Sequence, residues 1–427
     1  MVSLLRLKNF LLQYKGGLKS GSTYFISNII NSAIPFVALA FFSRMLTPSE
    51  FGQVNVFQTI VVFGCALVGL STQGSISIQY FKLGKDKLAE YIGTNVLIMV
   101  VSVFFIIIIV LLFKAQVHTL TKLDIRWVFL TISIGLSQFI IQIRLLLWQF
   151  SGEAKKYSFF LISQTLINAV LSIVLIYAFS LHEEGRFWGI ASASYIFAFL
   201  GFYNLSKNKL IRFKWCKLYA MNSLKFGVPV VFQTLGGNLF ALGTVFIVNS
   251  KLSPGDVAMF SIPNQICYGF LVYIDSINKV YHPKLVSISI GEINKAGVVK
   301  EAYKIMIINF FVAIAFAVFA TTLFPYYIGT QYASGRFLIP LFIVAHFFTS
   351  LYYLTAIFIN VANKNWYLTL TSGVSSTIGL LLIFLFISQY GILSVAIGSI
   401  FTQLFLFVLS WVASNHVYPL PWFNFNK

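Results

Sequence analysis

Three ionisable residues stand inside long apolar runs of the sequence. Arg144 interrupts FIIQIRLLLW, Asp275 interrupts FLVYIDSI, and His346 follows PLFIVA. An arginine there can hold a phosphate through two parallel hydrogen bonds, a carboxylate can accept from hydroxyl groups or carry a proton or ion, and a histidine can titrate near neutral pH. Because charged groups are costly in apolar surroundings, these residues are the first candidates for a functional site.

The composition indicates an integral membrane protein. Of the 427 residues, 58% are hydrophobic and only 10% are charged, and the mean hydropathy is +0.86. Runs such as 95–113 are long enough to cross a hydrocarbon core of about 30 Å as helices, and they lack the alternation of a β-barrel strand. We therefore predict an all-α fold of twelve transmembrane helices. The spans are 21–43, 53–76, 91–113, 127–150, 158–181, 187–204, 226–249, 257–281, 305–325, 337–361, 367–388 and 391–414.

The net charge of +19 comes from Lys and Arg residues scattered between these spans. Scatter of this kind is typical of topology determinants, whereas a nucleic-acid-binding domain gathers its charge on one face, so we expect no nucleic acid partner. The basic residues concentrate on the side of Met1, which predicts that both termini are cytoplasmic. Residues 1–20 are predicted as an amphipathic segment on the inner membrane face.

The fourth span carries two polar helical stripes. Arg144 shares one with Ser133 and Ser137, while Gln138 and Gln142 belong to the other. Arg144 and the two glutamines are predicted to line a binding cavity together with Asp275, Lys279 and His346. Polar residues on two stripes indicate that little of this helix faces lipid. Arg144 therefore either binds an anion or has a structural role, reaching the membrane interface or pairing with an acid.

The other candidates also have structural alternatives. Asp275 has two functional interpretations, acceptance of hydrogen bonds from hydroxyl groups of a ligand and coupling to an ion, and one structural alternative, a pair with Lys279 one turn further on. His346 either titrates or bonds to cargo, or it is a packing residue. Arg44 and Arg336 lie at the predicted outer mouth, where a structural role is favoured.

Two similar polar turns stand 206 residues apart. LTPSE at 46–50 matches LSPGD at 252–256, and with the same offset LKSG at 18–21 matches LKFG at 224–227. Each polar turn alone is explained as a helix start. The shared spacing instead favours a duplicated six-span unit.

The residue types in each turn fit helix capping. Thr47 or Ser253 is the predicted N-cap residue and Pro48 or Pro254 the first helical residue. The third helical residue is Glu50 or Asp256, as in a capping box. The predicted hinge and structural positions are Pro48, Glu50, Gly52, Pro229, Pro254 and Asp256, and the pair Gly236–Gly237 marks a further bending point.

The repeat predicts two pseudo-symmetric six-helix bundles with the same orientation around a central cavity. Alternating access by rocking of the bundles is the usual function of such an arrangement. The predicted domains are 1–20, an N-terminal bundle at 21–205, a cytoplasmic linker at 206–225, a C-terminal bundle at 226–414, and a cytoplasmic tail at 415–427.

Both turns and the start of the seventh span resemble those of a known family. RMLTPSEFG at 44–52 and LKFGVP at 224–229 are similar to motifs of polysaccharide transporters in the multidrug/oligosaccharidyl-lipid/polysaccharide exporter superfamily. The second turn departs from the family pattern, because Asp256 is followed by Val257 and Ala258 without the usual glycine. The resemblance covers the whole chain in span number but is nearly silent about cargo.

The resemblance implies a flippase of the bacterial inner membrane. Its cargo would be an undecaprenyl-pyrophosphate-linked oligosaccharide such as an O-antigen unit of lipopolysaccharide, moved from the inner to the outer leaflet by alternating access. Membrane lipid, a polysaccharide polymerase and a chain-length regulator are the further partners that this implies. We expect ion-gradient coupling, because no nucleotide-binding glycine loop appears.

Two rival functions remain open at the level of sequence. An enzyme such as an O-antigen polymerase would present catalytic residues on a large outer loop, whereas the loop at 114–126 holds one acid, Asp124. No metal or cofactor pattern is present, and the three cysteines lie in different segments, so we expect no cofactor and no catalytic residues. A multidrug exporter of the same superfamily is the nearer rival, although a cavity for drug cations would favour acids over Arg144.

Overall fold

A computed structural model of the chain describes residues 23, 26–290, 295–362, 364 and 366–422, with the side chains of 279–290 left out. The predicted segment 1–20 and the end of the tail lie outside these residues. The described part is helical, without a strand, which confirms the predicted all-α class. Its long helices are α1 Ile26–Met45, α2 Pro48–Gln79, α3 Lys85–Leu112, α4 Ile125–Phe150, α5 Ala154–Tyr177, α6 His182–Lys207, α7 Lys217–Gly237 with Leu239–Lys251, α8 Pro254–Ile290, α9 Lys295–Tyr327, α10 Leu338–Val361, α11 Trp366–Tyr390 and α12 Leu393–Val417.

These helices follow the twelve predicted spans. Among the described residues, 10 helices are long and apolar enough to cross a membrane, and the bent helix α7 makes up to 11. The remaining helix, α6, has 26 residues, but its first turn carries Glu183 and Glu184, and Arg186 follows two residues after Glu184. The predicted sixth span begins at residue 187, which leaves Arg186 in the outer connection. In the structure Arg186 lies within α6 instead.

The helices form two compact units. The first unit contains Met1–Met45 and Phe57–Phe232, and the second contains Leu46–Val56 and Gln233–Lys427. Within the first unit α6 packs against α4 and α5, and within the second α10 packs against α8 and α12. The sequence repeat also predicts bundle limits, and these remain a prediction: 21–205 for the N-terminal bundle and 226–414 for the C-terminal bundle.

Helix α2 is broken by a 3-10 segment, Val68–Ser75, which the sequence analysis treated as continuous helix. Gly69, Leu70 and Ser71 have positive φ angles of 70°, 50° and 52°. This region is unfavourable for Leu and Ser, since their Cβ atoms crowd the backbone. Side-chain hydroxyls of the segment accommodate the break, as when Thr72 Oγ1 donates to the Gly69 carbonyl at 2.6 Å.

Helix α7 bends by 57° between its two segments. The bend follows the pair Gly236–Gly237, as the sequence predicts. Pro229 lies within the first segment instead, so the glycines and not the proline coincide with this bend.

The two polar turns cap α2 and α8 as predicted. The Thr47 amide donates to Glu50 Oε2 at 2.8 Å and the Glu50 amide donates to Thr47 Oγ1 at 3.4 Å. In the second turn, Ser253 Oγ donates to Asp256 Oδ2 at 2.5 Å and accepts from the Asp256 amide at 3.2 Å. The first turn is therefore a reciprocal capping box, whereas in the second the Ser253 hydroxyl caps the helix and Asp256 bonds to that hydroxyl instead of to the backbone of Ser253.

The capped ends of α2 and α8 also pack against each other inside the second unit. Asn55 Nδ2 donates to Ser261 Oγ at 2.8 Å across a separation of 206 residues, which is the offset of the sequence repeat. A Cβ atom added to Gly255 would lie 3.8 Å from the Ser49 nitrogen, and these positions also differ by 206. Contacts between equivalent positions are the pattern expected at a two-fold axis.

We predict that Gly52→Ala destabilises the protein by about 1–3 kcal/mol, because the added methyl overpacks this contact. The new Cβ atom would lie 1.6 Å from the Pro254 carbonyl oxygen, so the backbone of α8 must move. Thermal melting in detergent measures the effect. Gly373→Ala in α11 is the control, since no atom lies within 4 Å of its added Cβ. Equal melting of the two variants would contradict the close approach.

Candidate functional site

Arg144 is buried among α4, α5 and α6 of the first unit. Only 5% of the residue is exposed, and its guanidinium carbon lies 3.9 Å from the centre of the Trp148 ring. Gly201 of α6 packs beside its Cβ atom. Among the described residues Arg144 has no hydrogen-bond acceptor and no carboxylate within ion-pair distance, and its Nε atom is buried without a partner. The cation is therefore stacked on an aromatic face but not neutralised by contact.

The acid that acts on Arg144 stands in the connection after α4. Hydrogen bonding to Lys156 and the charges of Lys156 and Arg144 hold the pKa of the Glu153 carboxyl below its usual value. The direct ion pair is with Lys156. Arg144 and Glu153 therefore interact through their charges without forming a contact ion pair. This supports the alternative in which Arg144 pairs with an acid, but it leaves the guanidinium able to bind an anion.

The glutamines of α4 are engaged with neighbouring helices. Gln138 Nε2 donates to Ser194 of α6 at 3.2 Å. Gln73, in the break of α2, donates through its Nε2 to Gln142 Oε1 at 2.7 Å. Both glutamines therefore tie α4 to other helices of the first unit, and their proposed contact with cargo stays a prediction.

Arg186 is a second intramembrane arginine in the first unit. Its Nη1 donates to Asn168 Oδ1 at 2.5 Å and to Ser172 Oγ at 2.7 Å, both on α5. Its guanidinium carbon lies 4.5 Å from the centre of the Phe42 ring of α1. Sequence reasoning missed it because it assigned Arg186 to a connection; the signal was its position next to the apolar run that starts at Phe187.

In the second unit, His346 belongs to a small polar cluster between α8 and α10. A ring nitrogen, Nε2, lies 3.2 Å from Asn264 Oδ1, and the ring centre is 5.9 Å from that of Tyr268. Asn264 Nδ2 is 3.4 Å from the Tyr268 hydroxyl. His346 is 9% exposed, whereas Tyr268 is 45% exposed, so the cluster is open on its tyrosine side.

Asp275 extends this polar face along α8. It is exposed, and its charge acts on Tyr353 of α10. The aromatic ring of Tyr353 lies 5.7 Å from that of Tyr352. Lys279 lies outside the described side chains, so its pairing with Asp275 stays a prediction. Together, the side chains of Asn264, Tyr268, Asp275, His346 and Tyr353 form a face that we call the α8–α10 polar face.

The two predicted outer-mouth arginines are both exposed. Arg336 donates from Nε to the Thr321 carbonyl at 2.8 Å, which supports a structural role. Arg44 follows the last buried turn of α1. Within the described residues no group of three or more His, Cys, Asp or Glu side chains could hold a metal ion.

Comparison with known families identifies the chain. The family described as polysaccharide biosynthesis protein matches residues 18–289, more than half of the 427 residues. The chain belongs to this family. A relative in Haemophilus influenzae, described as an uncharacterised membrane protein, is 23% identical over 273 residues, covering 63% of this chain and 65% of the relative. The match thus spans slightly less than two thirds of that relative.

Two solved structures resemble this member of the polysaccharide biosynthesis protein family. An inward-facing multidrug resistance MATE family transporter of the MOP superfamily has a TM-score of 0.70 at 14% identity, covering 92% of this chain and 97% of the transporter. The Lipid II flippase MurJ, in an inward closed conformation, has a TM-score of 0.71 at 12% identity, covering 93% and 87%. At these identities the likeness shows the fold alone. The family match confirms the resemblance to polysaccharide proteins drawn from the turn motifs, and the fold is shared with a transporter and a flippase.

We predict that Gln142→Leu lowers the free energy of unfolding by about 1–3 kcal/mol, because the buried Gln73 amide loses its hydrogen bond to Gln142 Oε1. The Oε1 atom of Gln73 is already buried without a partner. Thermal or denaturant unfolding in detergent measures this loss. The double variant Gln73→Leu/Gln142→Leu should lose less than the sum of the single variants.

The control for this cycle is Gln149→Leu, on the same helix but with an exposed side chain. It should change stability by less than about 0.5 kcal/mol. Additive effects of the Gln73 and Gln142 variants would show that the two amides do not interact.

Proposed function

We propose that the chain is a flippase for a polyprenyl-pyrophosphate-linked oligosaccharide, an O-antigen or similar surface polysaccharide unit. It moves this cargo from the inner to the outer leaflet of the bacterial cytoplasmic membrane by alternating access. The observation that carries the proposal is the stacked Arg144 guanidinium, which has no contacting carboxylate among the described residues.

A pyrophosphate supplies what Arg144 lacks. Burying a cation costs several kcal/mol unless a counter-charge and hydrogen bonds compensate for the lost water. Phosphate oxygens accept two parallel hydrogen bonds from one guanidinium, and the Trp148 ring holds the guanidinium plane in place. Drug cations would instead be repelled by Arg144, so an anionic cargo is favoured over the multidrug alternative.

The α8–α10 polar face suits the sugar part of the cargo. It offers neutral hydrogen-bonding groups, the imidazole of His346 and the amide of Asn264, beside the partly exposed ring of Tyr268. Sugar rings combine hydroxyl groups with apolar faces, and aromatic side chains bury area while keeping a polar tip. Asp275 is the acid on this face, and we assign to it either hydroxyl acceptance or coupling to a proton or sodium gradient.

The membrane arrangement follows from the same proposal. The bias of Lys and Arg places both termini in the cytoplasm. The sugar then meets the chain on the side where it is assembled, and the polyprenyl tail stays in lipid throughout. A polysaccharide polymerase and a chain-length regulator are the proteins expected to use the flipped product.

We predict that cells lacking the protein lose surface polysaccharide and retain lipid-linked units in the inner leaflet. Wild type should restore export, whereas Arg144→Ala should restore about a tenth or less, since a lost charge-assisted contact is worth about 1.5–3 kcal/mol. The amount of surface polysaccharide is measured together with the amount of each variant that resists protease, which reports how much folded protein is present. Arg126→Gln removes an exposed arginine and serves as the control.

Three outcomes would overturn the proposal. Export of single, unpolymerised units by the deletion strain would indicate a polymerase. Unchanged polysaccharide with increased drug sensitivity would indicate a multidrug exporter. Full restoration by Arg144→Ala at equal protein level would remove Arg144 from the cargo site.

A further inference from the structure

Arg186 carries a charge that nothing described in the protein neutralises. Its two hydrogen bonds go to a neutral amide and a hydroxyl, and its third contact is the Phe42 ring. Glu184, two residues away, pairs with Arg126 at 3.1 Å instead. No carboxylate among the described residues lies within ion-pair distance of Arg186.

The direction of the Arg186 side chain is unusual for its position. On the packed faces of α5 and α6, Gly185 lies against Ile176 and Gly189 lies against Ser172. The guanidinium reaches Ser172 and then Asn168, one turn deeper. Asn168 is nine residues from the end of α5 at Tyr177, which is about 14 Å of helix, close to half of the hydrocarbon core.

Arginines near the end of a membrane helix normally extend towards water, because their long apolar stem allows the charged group to leave the lipid. Arg186 extends the other way, towards the middle of the membrane. It remains partly exposed, and its Nε and Nη2 atoms bond to no described residue. These two donors remain for an acceptor with two oxygens, which is the geometry of a phosphate.

The two unneutralised arginines lie beside opposite halves of α6. Gly201 of α6 packs beside Arg144, and Arg186 is itself on α6. Fifteen residues separate these positions, which corresponds to about 22 Å of helix. With the predicted orientation, Arg144 lies towards the cytoplasmic side and Arg186 towards the outer side.

We propose that Arg186, held by Asn168 and Ser172, is a second anion-binding site that receives the pyrophosphate of the cargo on the outer side. This inference rests on the proposed flippase function. Arg144 binds the phosphates when the cargo enters from the cytoplasmic leaflet. Arg186, whose guanidinium reaches from the outer end of α6 towards the middle of the membrane, binds them in the outer half of the path before release.

The test measures binding of farnesyl pyrophosphate, a short polyprenyl pyrophosphate, to the full chain in phosphatidylcholine nanodiscs, with farnesol as the neutral comparison. Four proteins are compared: wild type, Arg144→Gln, Arg186→Gln and the double variant. In the Arg144→Gln background, Arg186→Gln should weaken binding of the pyrophosphate about 10- to 100-fold and leave farnesol unchanged. Arg186→Lys keeps the charge but loses the two-donor geometry. In the Arg144→Gln background, its affinity for the pyrophosphate should lie between that of Arg144→Gln and that of the double variant.

Arg126→Gln in the same background is the matched control and should bind as its parent does. If the double variant binds the probe as tightly as Arg144→Gln, the Arg186 site does not exist. If Arg186→Gln lowers the melting temperature but not the affinity, Arg186 only fastens α5 to α6, and the proposal fails. Should Arg186→Gln fail to fold, the same comparison with Arg186→Lys decides.

The failure of the proposed function gives a different result. If Arg186→Gln weakens binding of the pyrophosphate and Arg144→Gln does not, the Arg186 site is supported and the proposed role of Arg144 in binding the cargo is wrong. Equal binding of farnesol and farnesyl pyrophosphate by wild type overturns both.

Discussion

Hydrocarbon offers no hydrogen bonds, so each polar group at membrane depth must find its partner within the protein. The break in α2 shows how this chain meets the constraint. Three of its residues leave the right-handed helical region, and the hydroxyl groups of Ser71 and Thr72 donate to the Ala66 and Gly69 carbonyls at the break. From the same segment, the Gln73 side-chain amide donates to Gln142 of α4. An irregular backbone is therefore stable here because its own side chains replace water.

Against this background, Arg144 and Arg186 are conspicuous because they do not follow the rule. Each is stacked on an aromatic ring and neither contacts a carboxylate within the described residues. The described polar groups of the α8–α10 polar face are instead mostly neutral and bond to each other. The two arginines of the first unit thus present charge, whereas the α8–α10 polar face of the second unit presents hydroxyl, amide and aromatic groups beside Asp275. A lipid-linked sugar carries both chemistries, a pyrophosphate and a set of hydroxyl groups.

Much of the fold could be predicted because long apolar runs and turn residues are local signals. The spans, the caps at Thr47 and Ser253, and the bend after Gly237 all follow from such signals. The break in α2 was not predicted, although the small polar residues between Gly69 and Gly74 were visible. Arg186 was missed for another reason: a charge beside an apolar run is read as its boundary, and only tertiary packing shows that the side chain turns inward.

The hydrogen bond between Asn55 and Ser261 has a meaning for the origin of the chain. In the duplication that the sequence repeat predicts, these two positions derive from one position that faced its own copy in a homodimer of six-span subunits. Asparagine can pair with itself, because its amide both donates and accepts. Once the copies were fused, each side was free to diverge, provided that one donor and one acceptor remained. The pair of unlike residues at this contact, an asparagine that donates and a serine that accepts, is consistent with that freedom.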